Sequence, residues 1–344
     1  MNSVLILAFL AGNLVKFSHI SPLDLVVGVI WVLHLPKIIE RRHKLFKHII
    51  GFGFVGVISL LISLNRFEAS QIIVGAMYLL RFIVYSSLLG VIVQSNKVLF
   101  ALGIGTALLG IFQYFLFPDI RDLTAFGWDP HYYRIVGTLL DPGFTGLILV
   151  LTLVFIVLNN YHKAWWLIVY LALALTYSRA SYLAFFTAFT WISYQKKNWK
   201  YCIFSILILG LTIILLPRYS SGEGVKLERV SSVWARIESW KTAWKIFTLN
   251  PLIGVGFNNY RYAQKASPES HSGAGSDSSI LLVMATTGVV GLVYYLKYIK
   301  KVWGFGKDNL IITSSLVAIF VHSWFLNSLF YPAIMLWVIL LIPG

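Results

Sequence analysis

The 344-residue sequence is poor in charge: Asp, Glu, Lys and Arg make up 12% of it, against 58% hydrophobic residues and a mean hydropathy of +0.78. So few charges cannot cover a water-soluble domain, and the composition reads as a helical bundle in a bilayer. Cysteine is nearly absent. The single Cys202 excludes both a disulfide and a thiolate metal cluster within one chain. No Asp-x-Asp pair or carboxylate cluster falls in the segments expected outside the membrane, and the histidines lack ligand spacing, so the expected chemistry uses no metal and no cofactor. A Walker-type glycine loop is missing, which argues against ATP-driven transport. The first apolar stretch, Val4 to Val15, has no basic flank before it and no small-residue cleavage motif after it, so it reads as a first span rather than a cleavable signal. The net charge of +15 is scattered over many short loops, which excludes nucleic acid as a partner.

Long apolar runs and aromatic residues are abundant. Charged or Pro/Gly breaks separate about twelve expected spans, at 3–17, 22–39, 45–64, 71–94, 97–118, 136–158, 164–178, 180–196, 200–217, 277–297, 309–329 and 331–343. Twelve Trp, 18 Tyr and 24 Phe suit rings anchored at headgroup level. The fold class is therefore an all-α polytopic membrane protein, with 1–344 as a single membrane domain. Basic residues such as Lys37, Lys47, Lys97, Lys163, Lys196, Lys197, Lys200, Lys297 and Lys301 all fall on one side if the N-terminus is cytoplasmic. That alternation puts the long polar segment, residues 218–276, on the extracytoplasmic side.

Within this loop an amphipathic helix is expected over 231–248, stopped by Pro251. Trp234, Ile237, Trp240, Trp244 and Phe247 recur along it at helical spacing, while Arg236, Ser239 and Lys245 lie off that stripe. Such a helix either lies along the membrane–water boundary or packs on the bundle top.

Several charged groups call for an account. Arg179 sits in a two- or three-residue connection between apolar runs; an arginine there faces a cavity, binds an anion or reaches headgroups. Arg81, inside the fourth span, reads as structural, with Asp24 as a candidate partner. Arg236, with Arg229 shortly before it, offers forked donors that match phosphate oxygens, or else belongs to a solvated face. His271 and Asp277 flank the start of the tenth span, and either could take a proton from a hydroxyl. Asp277 could instead cap that helix, and His271 could simply be exposed. His322, in the eleventh span, is a third polar candidate for a cavity.

The run Arg236-Ile-Glu-Ser-Trp-Lys-Thr-Ala-Trp-Lys-Ile-Phe-Thr-Leu-Asn-Pro-Leu-Ile-Gly-Val-Gly-Phe-Asn-Asn-Tyr260 resembles the helix and closing Pro-Leu-x-Gly-Val-Gly turn of the O-antigen ligase and O-antigen polymerase family, which includes the Wzy-type polymerases. Ala285-Thr-Thr-Gly-Val-Val-Gly291 is similar to the family's Glu-Thr-Gly-x-x-Gly run, and Ser178-Arg179 to its short outer turn. Weaker likenesses are Arg134-Ile-Val-Gly137 through Pro142 and Leu326-Asn-Ser-Leu-Phe-Tyr-Pro332, so the resemblance covers about residue 130 to the end, in the family's order. It implies a GT-C-like glycosyltransferase of the inner membrane. The implied enzyme is metal-independent and inverting, and acts on the outer face with an undecaprenyl-diphosphate-linked glycan as donor and a glycan or glycolipid as acceptor.

By position, Arg179 and Arg236 would hold the donor diphosphate, with Arg229, Arg134, Arg261 and His322 in support. The family's usual His-Asn pair is replaced by Asp277-Ser278, which leaves Asp277 or His271 as base. Polymerase is the first reading and ligase the alternative. A secondary transporter or flippase of anionic lipids is the rival from another class, disfavoured by the lack of paired repeats and of broken helices. A catalytically dead scaffold is a third reading.

Overall fold

The structure is a computed structural model and describes residues 1–15, 19–40, 45–92, 95–218, 223–266 and 272–342. The helices, in chain order, are α1 (Asn2–Ala11), α2 (Pro22–Glu40), α3 (Phe46–Ser63), α4 (Ala69–Ser87), α5 (Asn96–Leu116), α6 (Pro142–Leu158) and α7 (Lys163–Ala174). They continue with α8 (Arg179–Gln195), α9 (Lys200–Leu215), α10 (Ser231–Leu249), the single turn α11 (Tyr260–Ala263), α12 (Ser279–Gly306), α13 (Leu310–His322) and α14 (Pro332–Leu341). Among the described residues there is no β-strand, and a helix coincides with each of the apolar runs. Five helices, α2 to α5 and α12, are long and apolar enough to cross a membrane, and α1, α6, α7, α9, α13 and α14 are shorter apolar helices. Large apolar side chains such as Leu25, Val29, Leu33, Leu207 and Ile214 stand exposed on α2 and α9. Water would not tolerate that surface over whole helix faces, and lipid would.

Several helices end earlier than the apolar runs suggest. Helix α1 stops at Ala11 because Gly12 takes φ +56°, where an added Cβ would lie 2.4 Å from the Thr138 carbonyl oxygen. Helix α4 ends at Ser87, well short of residue 94. Helix α13 ends at His322, and the chain then runs as a turn into a short 3-10 segment, Ser328–Phe330.

The chain forms two compact units. The first comprises Met1–Lys16, Ser95–Ser231 and Gly306–His322. Its centre is α6, whose residues 142–156 are all buried, so this helix is apolar on every side. Asp141 caps it by accepting from the Gly143 and Phe144 amides at 2.7 and 2.9 Å, and Pro142 needs no donor there. Helices α5, α7, α8 and α13 pack around it. Small residues set the approach: Gly103 faces Thr152 and Gly146 faces Ser181, each closer than a Cβ would allow.

The second unit comprises Phe17–Gln94, Ser232–Phe305 and Ser323–Gly344. Its helix α12 is broken at Gly288 (φ +65°, ψ −168°). The break releases backbone groups on both sides, and the glycine turn after α10 matches them. Val255 and Gly256 donate to the carbonyls of Ala285 and Thr286, each at 3.1 Å. Val289 and Val290 donate to Pro251 and Leu252 at 2.9 and 3.2 Å. Ser59 Oγ gives the Thr286 carbonyl a second bond, at 2.6 Å. The two glycine motifs of the sequence are thus the two halves of one backbone junction. The expectation that no helix is broken is corrected here, because Gly288 sits inside an apolar helix, where freed polar groups are tolerated only if protein re-satisfies them. The expected pairing of Arg81 is present: its Nη2 lies 2.7 Å from Asp24 Oδ2, and Tyr85 Oη donates to Asp24 Oδ1 at 3.1 Å.

A Cβ at Gly288 would lie 2.3 Å from the Leu252 carbonyl, and one at Gly254 2.2 Å from the Thr286 carbonyl carbon, both at positive φ. Replacement of either by Ala is expected to destabilise the protein by on the order of 2–4 kcal/mol. Gly304, with nothing within 4 Å of its Cβ position, should accept Ala without loss. Thermal melting in detergent compares the three variants.

Candidate functional site

In the first unit three of the expected arginines gather on one short connection. Residues 175–178 join α7 to α8, with Tyr177 in the left-handed region (φ +50°) and Ser178 capping α8 by accepting from the Ser181 amide at 3.3 Å. This bend faces carbonyls into the protein, and guanidinium groups receive them. Arg134, only 7% exposed, donates Nε to the Thr176 carbonyl at 3.0 Å and Nη2 to that of Tyr177 at 3.4 Å. Arg229 reaches the Tyr177 carbonyl with Nη2 at 3.5 Å, and gives Nη1 to the carbonyls of Gly224 and Lys226 at 2.7 and 2.9 Å. Arg179, at the first turn of α8 and half-buried, gives Nη1 to the carbonyls of Leu227 and Arg229 at 3.1 and 2.9 Å.

The connection and residues 224–229 are thereby laced together. The Tyr177 phenol adds a bond to the Pro217 carbonyl at 2.7 Å. Three guanidinium charges beside the N-terminus of α8 make this locus attractive to an anion. The nearby acid Glu228 is turned to the exposed Arg218, at 3.7 Å. His322 is fully buried, its Nε2 3.4 Å from Ser181 Oγ, so it supports the start of α8 from within rather than lining an open cavity as expected.

In the second unit α10 carries Arg236. The expected tryptophan stripe is not the packed face: Trp234 and Trp244 are 59% and 56% exposed. The packed face runs instead through Arg236, Ser239, Trp240, Ala243 and Ile246, so Arg236 and Ser239 lie on it rather than off it. The reason is the neighbour. Ala243 and Ile246 fill the core formed by Val255, Tyr260, Leu282 and Ala285, where a small residue at 243 lets the helix approach. The Arg236 guanidinium stands 5.7 Å above the ring of Phe325.

One turn further along, Ser239 Oγ accepts from the Asp277 amide at 3.0 Å, which brings the half-buried Asp277 against the stretch of α10 that bears Arg236. The capping role considered for Asp277 belongs to Ser278, whose Oγ accepts from the Leu281 amide at 3.4 Å. Tyr260 Oη donates to the Ser239 carbonyl at 3.3 Å, and burial pushes its phenol up to about 12, with Asp277 adding in the same direction. Arg261 follows on α11, half-buried. His271 lies outside the described residues.

A small cleft in the same unit is walled by Tyr78, Phe82, Phe257, Leu282 and Phe330. It is apolar, and its charge, Arg81, is already committed to Asp24. Among the described residues no three His, Cys, Asp or Glu side chains converge to hold a metal ion.

Apolar helices that suit lipid, with buried and half-buried arginines at helix ends, fit a multi-pass membrane protein. Residues 163–296 match the family model described as O-antigen ligase, so this part of the chain is similar to that family. The match takes in Arg179, Arg229, Arg236, Arg261 and Asp277, but not Arg134 or His322. No curated protein matches the chain.

Sequence reasoning named Ser239, Trp240 and Asn327 only as members of motif runs and left Phe325 unnamed. The signal for Ser239 and Trp240 was the likeness at 236–260, and for Asn327 the weak one at 326–332.

Because the Tyr260 phenol ionises only near pH 12 when folded, it is neutral in both folded and unfolded chains below pH 10. Its contribution is present there in full and is lost as pH rises from 10 through 12. Tyr260→Phe should cost about 1 kcal/mol of stability and leave the pH dependence of activity between about 6 and 9 unchanged. Melting curves and a pH–rate profile of the variant check both.

Proposed function

We propose that the protein is a glycosyltransferase that polymerises or transfers glycan from a polyprenyl-diphosphate carrier on the outer face of the cytoplasmic membrane. The observation that supports it best is the arginine-laced bend at 176–179, inside the segment that matches the O-antigen ligase family. In this reading Arg179 and Arg236 bind the donor diphosphate. An acceptor sugar hydroxyl attacks the anomeric carbon, its proton passing to Asp277 or His271. The bond from that carbon to the diphosphate oxygen breaks, and the electron pair leaves with the polyprenyl diphosphate. One displacement inverts the anomeric centre.

Negative charge grows on the leaving oxygens, and fixed guanidinium groups in a poorly hydrated site stabilise it more than they stabilise the substrate. Arg134 and Arg229 serve the site by holding the bend that carries Arg179, and Arg261 adds positive charge on the other unit. The neighbours fit Asp277 for the base role, since Ser278 relieves it of capping and the Ser239 hydroxyl fixes its backbone. Neither a metal nor a cofactor takes part in this scheme. The helices on the twelve apolar runs, α1 to α9 and α12 to α14, are read as spans, with 218–276 outside, and Trp234 and Trp244 at the headgroup boundary.

Polymerase is the first reading and ligase the second, the two differing only in acceptor. A carrier for an anionic lipid keeps a place because α12 is broken at Gly288, a feature of many transporters.

The test is purified full-length protein incubated with lipid-linked oligosaccharide extracted from the producing cells. A ladder of chain lengths supports the polymerase, one-step transfer to a second acceptor supports the ligase, and passage across vesicles without a new glycosidic bond supports the carrier. Arg179→Ala and Arg236→Ala should each lower transfer by roughly 100-fold or more. Lysine at either position should recover only part of it, because the fork is lost. Since Arg179 also ties down residues 227–229, melting of each variant is measured alongside. Wild-type rates in both alanine variants would remove the assignment.

A further inference from the structure

One cluster in the second unit plays no part in the proposed displacement. Phe325 packs against α10, its ring centroid 6.2 Å from that of Trp240 and 5.7 Å from Arg236 Cζ. The segment that carries it is pinned to the start of α12: the Ser279 amide donates to the Ser323 carbonyl at 2.9 Å. Ser279 Oγ donates to the Leu326 carbonyl at 3.4 Å and accepts from the Leu329 amide at 3.2 Å. This sets the Asn327 amide along Gly275, where an added Cβ would lie 3.6 Å from Nδ2.

Two side-chain atoms here, Trp240 Nε1 and Asn327 Oδ1, are shut off from solvent with no hydrogen bond, and Ser276 Oγ, equally shut off, faces the Tyr260 phenol. Ser276 is 2% exposed, whereas Trp240, Phe325 and Asn327 are half-buried, so aromatic faces reach the surface while the polar atoms lie beneath them. Buried polar atoms are almost always matched, and two unmatched ones in one cluster call for a ligand or another explanation.

Their chemistry narrows the ligand. The set holds a donor, a hydroxyl that can do both, and an acceptor, beside two aromatic rings. A lipid chain would use the rings and leave the Trp240 and Asn327 polar atoms unmatched. An anion would want donors only, and the Asn327 oxygen opposes it. A sugar ring offers a C–H face to lie on an aromatic ring, and hydroxyls that accept from one partner and donate to the next. We propose that Trp240, Phe325, Ser276 and Asn327 form a sugar-binding subsite that seats a pyranose ring of the acceptor glycan next to Asp277. Asp277 follows Ser276 directly and is bonded through its amide to the α10 turn that precedes Trp240, so a ring held here presents a hydroxyl close to that carboxylate. The assignment to the acceptor rests on the transferase reading above; the affinity for sugar does not.

The probe is the free oligosaccharide released by mild acid from the lipid-linked material of the producing cells. Its binding to the full-length protein in nanodiscs is followed by saturation-transfer NMR and titration. Wild type is expected to bind. Trp240→Phe keeps a ring but loses the N–H, and Asn327→Ala loses the acceptor; each should bind about five- to tenfold more weakly. In the transfer assay both should raise KM for the acceptor with the donor KM unchanged. Arg179→Ala, in the other unit, should bind the oligosaccharide as wild type does while transferring nothing. Melting curves select variants that fold, and either substitution alone suffices for the comparison. A wild type that does not bind the oligosaccharide, or folded variants that bind it as tightly as wild type, would overturn the subsite. Binding without any transfer would leave the subsite standing and count against the transferase reading.

Discussion

A chain that bends inside an apolar bundle must find partners for every backbone group it frees, because lipid supplies none. Both units are organised by that constraint and meet it differently. In the second unit the freed groups around Gly288 are matched by another stretch of backbone, residues 251–256, which fits only because glycines let the two main chains approach. In the first unit the freed carbonyls at 176 and 177 are matched by the guanidinium groups of Arg134 and Arg229. One solution is neutral and rigid. The other places fixed positive charge at a helix N-terminus.

That second solution joins structure to chemistry. An arginine used to satisfy carbonyls keeps its charge, and a guanidinium has more N–H donors than one or two carbonyls consume. Arg179 shows the pattern, with the two carbonyls of Leu227 and Arg229 sharing its Nη1. The bonds that hold the bend therefore also fix the guanidinium charges in place, which is what the proposed transfer would require of them. Tyr177 at φ +50° belongs to the same economy: a strained residue persists because its carbonyl, its phenol and its successor Ser178 are all held. In the second unit the Ser239 hydroxyl does comparable work for Asp277.

Much of this was legible in the sequence, for definite reasons. Apolar runs locate helices because a spanning segment has to be apolar along its length, and each run does hold a helix. Boundaries were less legible, since Gly12 and Ser323 end helices through contacts with distant residues rather than through local breakers. Of the two placements open for α10, the exposed Trp234 and Trp244 fit the one along the membrane–water boundary, while its packed face runs through residues off the tryptophan stripe. A tryptophan at a membrane surface can face outward, and Ala243, the residue that permits close packing, carries little pattern signal. The break in α12 was hidden inside an unbroken apolar stretch. Its trace was the recurrence of glycines at 254, 256, 288 and 291, which gains meaning once two of them are seen to face each other's backbone. The arginines stood out because charge in an apolar chain is conspicuous, whereas their partners, being carbonyls, leave no mark in a sequence.

The central claim is that arginines of this chain recognise a lipid diphosphate. Its most direct measurement is the affinity of nanodisc-embedded protein for undecaprenyl diphosphate against undecaprenyl monophosphate, by native mass spectrometry, in wild type and in the separate Arg179→Ala and Arg236→Ala variants. The account predicts that wild type prefers the diphosphate by about tenfold or more, and that each substitution removes the preference while leaving the protein folded. Equal affinity for the two lipids in wild type, or a preference untouched by both substitutions, would contradict it.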